Sequence, residues 1–250
     1  MKEEYFKEYS RTLDRDMEFK VYGHTGKPVL VFPPGSGRFW HYEFHGMVEI
    51  CRPYIDAGRI QLFCIDGIDF ETWDLKDGNP YDRIRLHERY FNYVTDEFIP
   101  RIKGISRDAN GGREIGILAT GCSMGAFHSA LTYFRRPDLL DSVIALSGLY
   151  SSKYFMGDYM DEVVYFNSVL NFLPNINDER LLDQMRKGRL VFCVGQGAWE
   201  DPMIEETLAL KNILEAKHIP AFVDVWGKDV NHDWDWWYVQ LPYFLDRVLD

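Results

Sequence analysis

Ser123 stands in the run Gly121-Cys122-Ser123-Met124-Gly125, between the apolar stretch 115–119 and a helix-like segment. A Gly-x-Ser-x-Gly run at a strand-to-helix junction is the pattern of an elbow that presents a nucleophilic serine. A free serine hydroxyl attacks poorly. It must be held on a tight turn, beside a base and beside donors for the developing oxyanion. Glycines at 121 and 125 leave room where strand and helix backbones approach. The first amides of the following helix add unpaired N–H groups and the positive end of its dipole.

Such a serine needs an acid and then a histidine further along the chain. His218 and His232 lie well downstream. His218 falls at a helix end before the next strand, where histidine is commonly solvated. His232 follows the last predicted strand, in Asn231-His232-Asp233-Trp234, and is the expected general base. The acid is expected in Gly195-Gln196-Gly197-Ala198-Trp199-Glu200-Asp201-Pro202. Asp201 is preferred, because a fixed backbone position at the helix start would hold an imidazole well; Glu200 is the alternative. Asp201 also suits a helix cap before Pro202. Asp229 and Asp233 are too local to His232 to orient its far nitrogen.

The oxyanion donors are expected to be the Met124 amide and one from Pro33-Pro34-Gly35-Ser36-Gly37. Ser36 is the first choice there, with Gly35 and Gly37 as alternatives. A phosphate-loop reading of this stretch lacks the following Gly-Lys-Ser/Thr. The other histidines show no metal-ligand spacing with nearby carboxylates, so neither metal nor cofactor is expected.

These residues need elements to position them. Strand-like runs at 19–22, 29–32, 60–65, 115–119, 143–146, 190–194 and 221–225 alternate with helical candidates near 43–56, 80–102, 124–135, 177–187, 202–217 and 234–249. The middle five runs are nearly all apolar, as in strands covered on both faces. The alternation predicts an α/β fold with a mostly parallel central sheet and helices on both faces. Sites in such sheets gather at the carboxyl ends of the strands, where Ser123 falls. Residues 149–176 break the alternation with many aromatics and no clear strand. They read either as a small cap over the site or as a packed surface loop.

The 250 residues, 46% of them hydrophobic, suit one domain spanning 1–250, with no linker-like tract. The net charge of −11 and pI of about 5.1 argue against nucleic acid or an anionic membrane surface as partner. The charged N-terminus, the lack of a membrane-length apolar run and four scattered cysteines point to the cytoplasm. Oligomeric state is left open.

The chain resembles the esterase D-like ("putative esterase") branch of the α/β-hydrolases, which includes S-formylglutathione hydrolases, mycolyltransferases, feruloyl esterases and enterochelin esterases. The resemblance runs from about residue 18 to the C-terminus. It is carried by Gly121-Cys122-Ser123-Met124-Gly125-Ala126, Arg136-Pro137, Val143-Ile144-Ala145-Leu146-Ser147-Gly148 and His232-Asp233-Trp234. Asp201-Pro202-Met203-Ile204 approximates the family's acid motif, which supports Asp201 by resemblance. Many relatives carry His-Gly where this chain has Pro34-Gly35. The resemblance implies an α/β-hydrolase fold and a serine carboxylic-ester hydrolase working through a Ser-His-Asp triad and an acyl-enzyme on a small-molecule ester, without a cofactor. Acyl transfer or peptide hydrolysis on the same triad, and a non-catalytic binding protein on this fold, are the alternative readings.

Overall fold

In the computed structural model, which describes residues 1–249, eight strands form one sheet in the order β1-β2-β4-β3-β5-β6-β7-β8. The strands are β1 (Glu3–Ser10), β2 (Arg15–Tyr22), β3 (Lys27–Phe32), β4 (Ile60–Ile65), β5 (Leu118–Cys122), β6 (Ser142–Leu146), β7 (Arg189–Val194) and β8 (Phe222–Val225). Strands β4, β3, β5, β6, β7 and β8 pair parallel, and β1 and β2 add an antiparallel edge. The fold is the expected α/β-hydrolase one. β1 escapes a hydrophobicity pattern because its residues are mostly exposed and only its pairing with β2 makes it a strand.

Side-chain alternation divides the core in two. Leu30, Phe63, Ala119, Val143 and Phe192 belong to one buried cluster, and their neighbours Val31, Cys64, Leu118, Ile144 and Val191 to the other. Helices cover each face, which is why these strands read as continuous apolar runs. The second cluster is closed by Met47, Val48 and Ile55 together with Trp237, Leu241 and Phe244 from the C-terminal helix.

The helices are α1 (His41–Phe44), α2 (Met47–Asp56), α3 (Pro80–Tyr93), α4 (Ile99–Ala109), α5 (Met124–Arg135), α6 (Lys153–Met156), α7 (Glu162–Phe166), α8 (Val169–Phe172), α9 (Glu179–Met185), α10 (Asp201–Ala216) and α11 (Trp234–Leu249). The expected helix 43–56 is divided by Gly46, which takes φ 77° at the start of α2. The expected helix 80–102 is also divided. A π-helical turn, Val94–Phe98, separates α3 from α4 next to Pro100, which has no N–H to give to the preceding turn. Asn79 caps α3 by accepting the Tyr81 N–H at 3.0 Å, with Pro80 in the first turn. Residues 149–176 fold as the short helices α6, α7 and α8 and a 3₁₀ turn.

Candidate active site

Ser123 follows β5 directly and caps α5 with φ 56° and ψ −118°, a conformation costly for a residue with a side chain. Its N–H donates to Leu146 O at 2.9 Å, and the Ala126 N–H donates back to Ser123 O at 3.0 Å. The two glycines of the motif are sterically required. A Cβ at 125 would stand 2.4 Å from Phe32 O, and one at 121 would stand 2.5 Å from the Gly125 carbonyl carbon. Met124 opens α5, so its amide has no intrahelical acceptor.

His232 lies on the loop between β8 and α11, and two loops are stitched together to place it. The Gly197 N–H donates to Val230 O at 2.8 Å, the His232 N–H to Ala198 O at 2.9 Å, and the Ala198 N–H to Asn231 Oδ1 at 2.8 Å. Gly197 permits this approach, since a Cβ there would meet Asn231 Oδ1 at 2.3 Å. Ser123, Met124 and His232 line one cavity of about 240 Å³ with Gly35, Leu149, Tyr154 and Met203.

The structure brings Glu200, and not Asp201, to His232. Glu200 is 0% exposed and its Oε1 lies 3.6 Å from His232 Nδ1. Its second oxygen, Oε2, and His232 Nδ1 are both buried without a hydrogen-bond partner. The unpartnered His232 Nδ1 thus faces the Glu200 carboxylate through Oε1, at a distance that a small contraction turns into a hydrogen bond. Asp201 is exposed at the first position of α10. Nor is Asp201 the cap: Glu200 occupies the N-cap position and makes no side-chain cap bond. The reversal has a backbone cause. Trp199 takes φ 67° and is 81% exposed, and Glu200, the next residue, is turned inward.

Sequence reasoning missed what holds Glu200. The Ser147 hydroxyl donates to Glu200 Oε1 at 2.6 Å, and Trp237 Nε1 donates to Ser147 Oγ at 3.2 Å. Ser147 is fully buried just past β6 with φ 55°. The signal was its place at the carboxyl end of the strand beside the nucleophile's. The ring of Trp237 also packs edge-on against His232, with centroids 5.1 Å apart.

The early loop is ordered by a turn, with the Gly37 N–H donating to Pro34 O at 2.8 Å. Arg38 anchors it through two bonds to buried Asp66, from Nε at 2.6 Å and Nη2 at 2.9 Å. Ser36 has φ 53°, and its hydroxyl donates to Asp74 Oδ2 at 2.8 Å. Gly35 and Asp74 line the cavity with Ser123. Asp74 was not singled out by its sequence context. His128 is buried against Asp69 at 3.0 Å, and His218 is exposed just after α10. Among the described residues no group of three or more His, Cys, Asp or Glu side chains is arranged to hold a metal ion.

A serine on an elbow, a histidine on the loop after the last strand and a buried carboxylate behind it define a serine hydrolase on an α/β-hydrolase sheet. The chain belongs to the family described as "Putative esterase", whose model matches residues 10–247. It is a serine carboxylic-ester hydrolase. Solved structures agree in fold. A ferulic acid esterase superposes with a TM-score of 0.75 at 16% identity, covering 99% of this chain and 98% of that one. An S-formylglutathione hydrolase from Agrobacterium tumefaciens gives 0.72 at 15% identity, covering 99% and 94%. MPT51 of Mycobacterium tuberculosis gives 0.70 at 12% identity, covering 100% and 98%. Comparison with curated proteins finds no match.

Proposed function

We propose that the enzyme hydrolyses a small-molecule ester through an acyl-enzyme on Ser123, with His232 as general base and Glu200 as the triad acid. His232 takes the Ser123 proton as the hydroxyl attacks the ester carbonyl, and returns it to the departing alcohol. Glu200 holds the imidazole through Nδ1 and stabilises it when charged. The Met124 amide and an amide near Ser36 receive the oxyanion. Water then attacks the acyl-enzyme by the same route in reverse. The observation that carries this reading is the shared cavity of Ser123, Met124 and His232, with the His232 Nδ1 turned to buried Glu200.

Further readings attach to it. The chain works as one domain, and segment 149–176 is the cap of the site, since it supplies Leu149, Tyr154 and Phe155 to the cavity wall. The net charge of −11 speaks against nucleic acid as partner. No helix among the described residues is long and apolar enough to cross a membrane. A cytoplasmic location is supported by four buried, unpaired cysteines. Burial pushes the thiols of Cys51 and Cys122 up to about 12, which makes them inert packing groups.

A fluorophosphonate probe tests the nucleophile. The expected result is one covalent adduct on Ser123, absent in Ser123→Ala, together with a loss of at least ~10³-fold in ester kcat in that variant. Labelling elsewhere, or near-normal turnover in Ser123→Ala, overturns the reading.

A further inference from the structure

The cavity beside Ser123 has a mostly apolar and aromatic wall, yet it contains a carboxylate, Asp74. The side chain is built into place. The Asp74 N–H donates to Asp69 O at 2.8 Å, and Asp74 Oδ2 receives the Ser36 hydroxyl at 2.8 Å. The Ser36 backbone N–H also favours the charged form. Gly35 makes room for it, because a Cβ there would stand 2.9 Å from Oδ2.

No ion pair closes on this charge, and His128 acts on it only through space. The Arg83 guanidinium is near enough to act through space, but its Nε and Nη2 donate to the carbonyls of Thr72, Trp73 and Phe155. Asp69 turns its own carboxylate to His128. Among the described residues no salt bridge involves Asp74. Burial, and then the Asp69 charge, push the Asp74 carboxyl above its ordinary range.

A carboxylate without an ion-pair partner here opposes the chemistry. Ester attack develops a negative charge beside Ser123, and Asp74, on the same cavity wall and bonded to the Ser36 hydroxyl, repels that charge. A neutral ester leaves the conflict in place. A cationic substrate removes it, by pairing with Asp74 and cancelling its repulsion of the oxyanion. Tyr154 and Phe155 on the same wall are aromatic, the side-chain class that attracts an ammonium group. The acidic chain as a whole draws cations toward it.

We propose that Asp74 is a specificity-determining residue that selects esters bearing a positively charged group near the scissile bond. The inference rests on the reading of Ser123 and His232 as nucleophile and base.

The test compares isosteric substrates that differ only in charge. On the acyl side these are 4-nitrophenyl 4-(trimethylammonio)butanoate and 4-nitrophenyl 5,5-dimethylhexanoate; on the alcohol side, acetylcholine and 3,3-dimethylbutyl acetate. In the wild-type enzyme, kcat/KM favours the cation by roughly tenfold or more in at least one pair, and added salt erodes the preference. Asp74→Asn, which keeps an oxygen for the Ser36 hydroxyl, brings the ratio to about one and raises kcat/KM for the neutral ester. Absence of a preference in the wild-type enzyme overturns the proposal without any variant. So does a preference that survives in Asp74→Asn. Fluorophosphonate labelling separates the two levels. A labelled Ser123 with no charge preference overturns the Asp74 role alone. An unlabelled, inactive enzyme overturns the nucleophile reading and this inference with it.

Discussion

The Ser147 hydroxyl holds Glu200 Oε1 at 2.6 Å, across 53 residues of sequence, and fixes which face of the carboxylate meets His232. A hydrogen bond to a buried charged group contributes about 1.5–3 kcal/mol, more than a neutral pair. Ser147→Ala removes that bond and leaves Trp237 Nε1 without its acceptor. The expected outcome is a lower melting temperature and a fall in kcat of roughly tenfold or more, with a smaller change in KM. A variant with unchanged kcat would show that Glu200 is held by packing alone.

The two adjacent carboxylates separate by mutation. Glu200→Gln should cost about 10²–10⁴-fold in kcat, the range seen when the orienting carboxylate of a triad is lost. Asp201→Asn should change activity little, because that side chain is exposed and makes no cap bond. Steady-state rates on one ester decide between them. A crippled Asp201→Asn with a mild Glu200→Gln would return the acid to Asp201.

The contrast between these residues shows where sequence reading reaches and where it stops. The sheet was legible because five of its parallel strands run between covered faces, so burial imprints a largely apolar run on each. Ser123 and His232 could be singled out because each stands at a strand end, one in a glycine-flanked turn and the other after the last strand. The choice between Glu200 and Asp201 depends on the left-handed backbone of Trp199 and on Ser147 across the sheet, and neither leaves a pattern in the loop itself. β1 was hidden for the opposite reason, since its hydrogen bonds to β2 are not matched by an apolar face.

The elbow's tightness gives a stability test with its own control. In Gly125→Ala the new methyl would stand 2.4 Å from Phe32 O and 2.9 Å from Pro33 O, both backbone atoms that cannot swing aside. The expected cost is at least about 2 kcal/mol. Gly104, inside α4, has nothing within 4 Å of a built Cβ. Gly104→Ala should therefore stabilise by about 0.5–1 kcal/mol through helix propensity. Chemical denaturation of both variants beside the wild type checks the pair. Equal effects would mean that strand and helix can part at the elbow without penalty.

His87 makes folding sensitive to acid. It lies on α3 at 1% exposure, with Trp73 and His128 rings 4.8 and 5.5 Å away and both ring nitrogens without a hydrogen-bond partner. Burial first, then the charges of His128 and Arg135, hold its pKa well below the ordinary imidazole range. In the unfolded chain it titrates near the usual value of about 6.5. Below that pH the unfolded state binds a proton that the folded state refuses, so stability is intact above about pH 6.5 and declines as pH falls toward the folded pKa. One such group takes away about 1.4 kcal/mol by pH 5.5. His87→Phe keeps a ring against Trp73 and deletes the titration. Denaturation at pH 7.5 and 5.5 should show a smaller acid penalty for the variant than for the wild type, by about that amount. Equal penalties in the two proteins would mean that the folded state accepts the proton at His87.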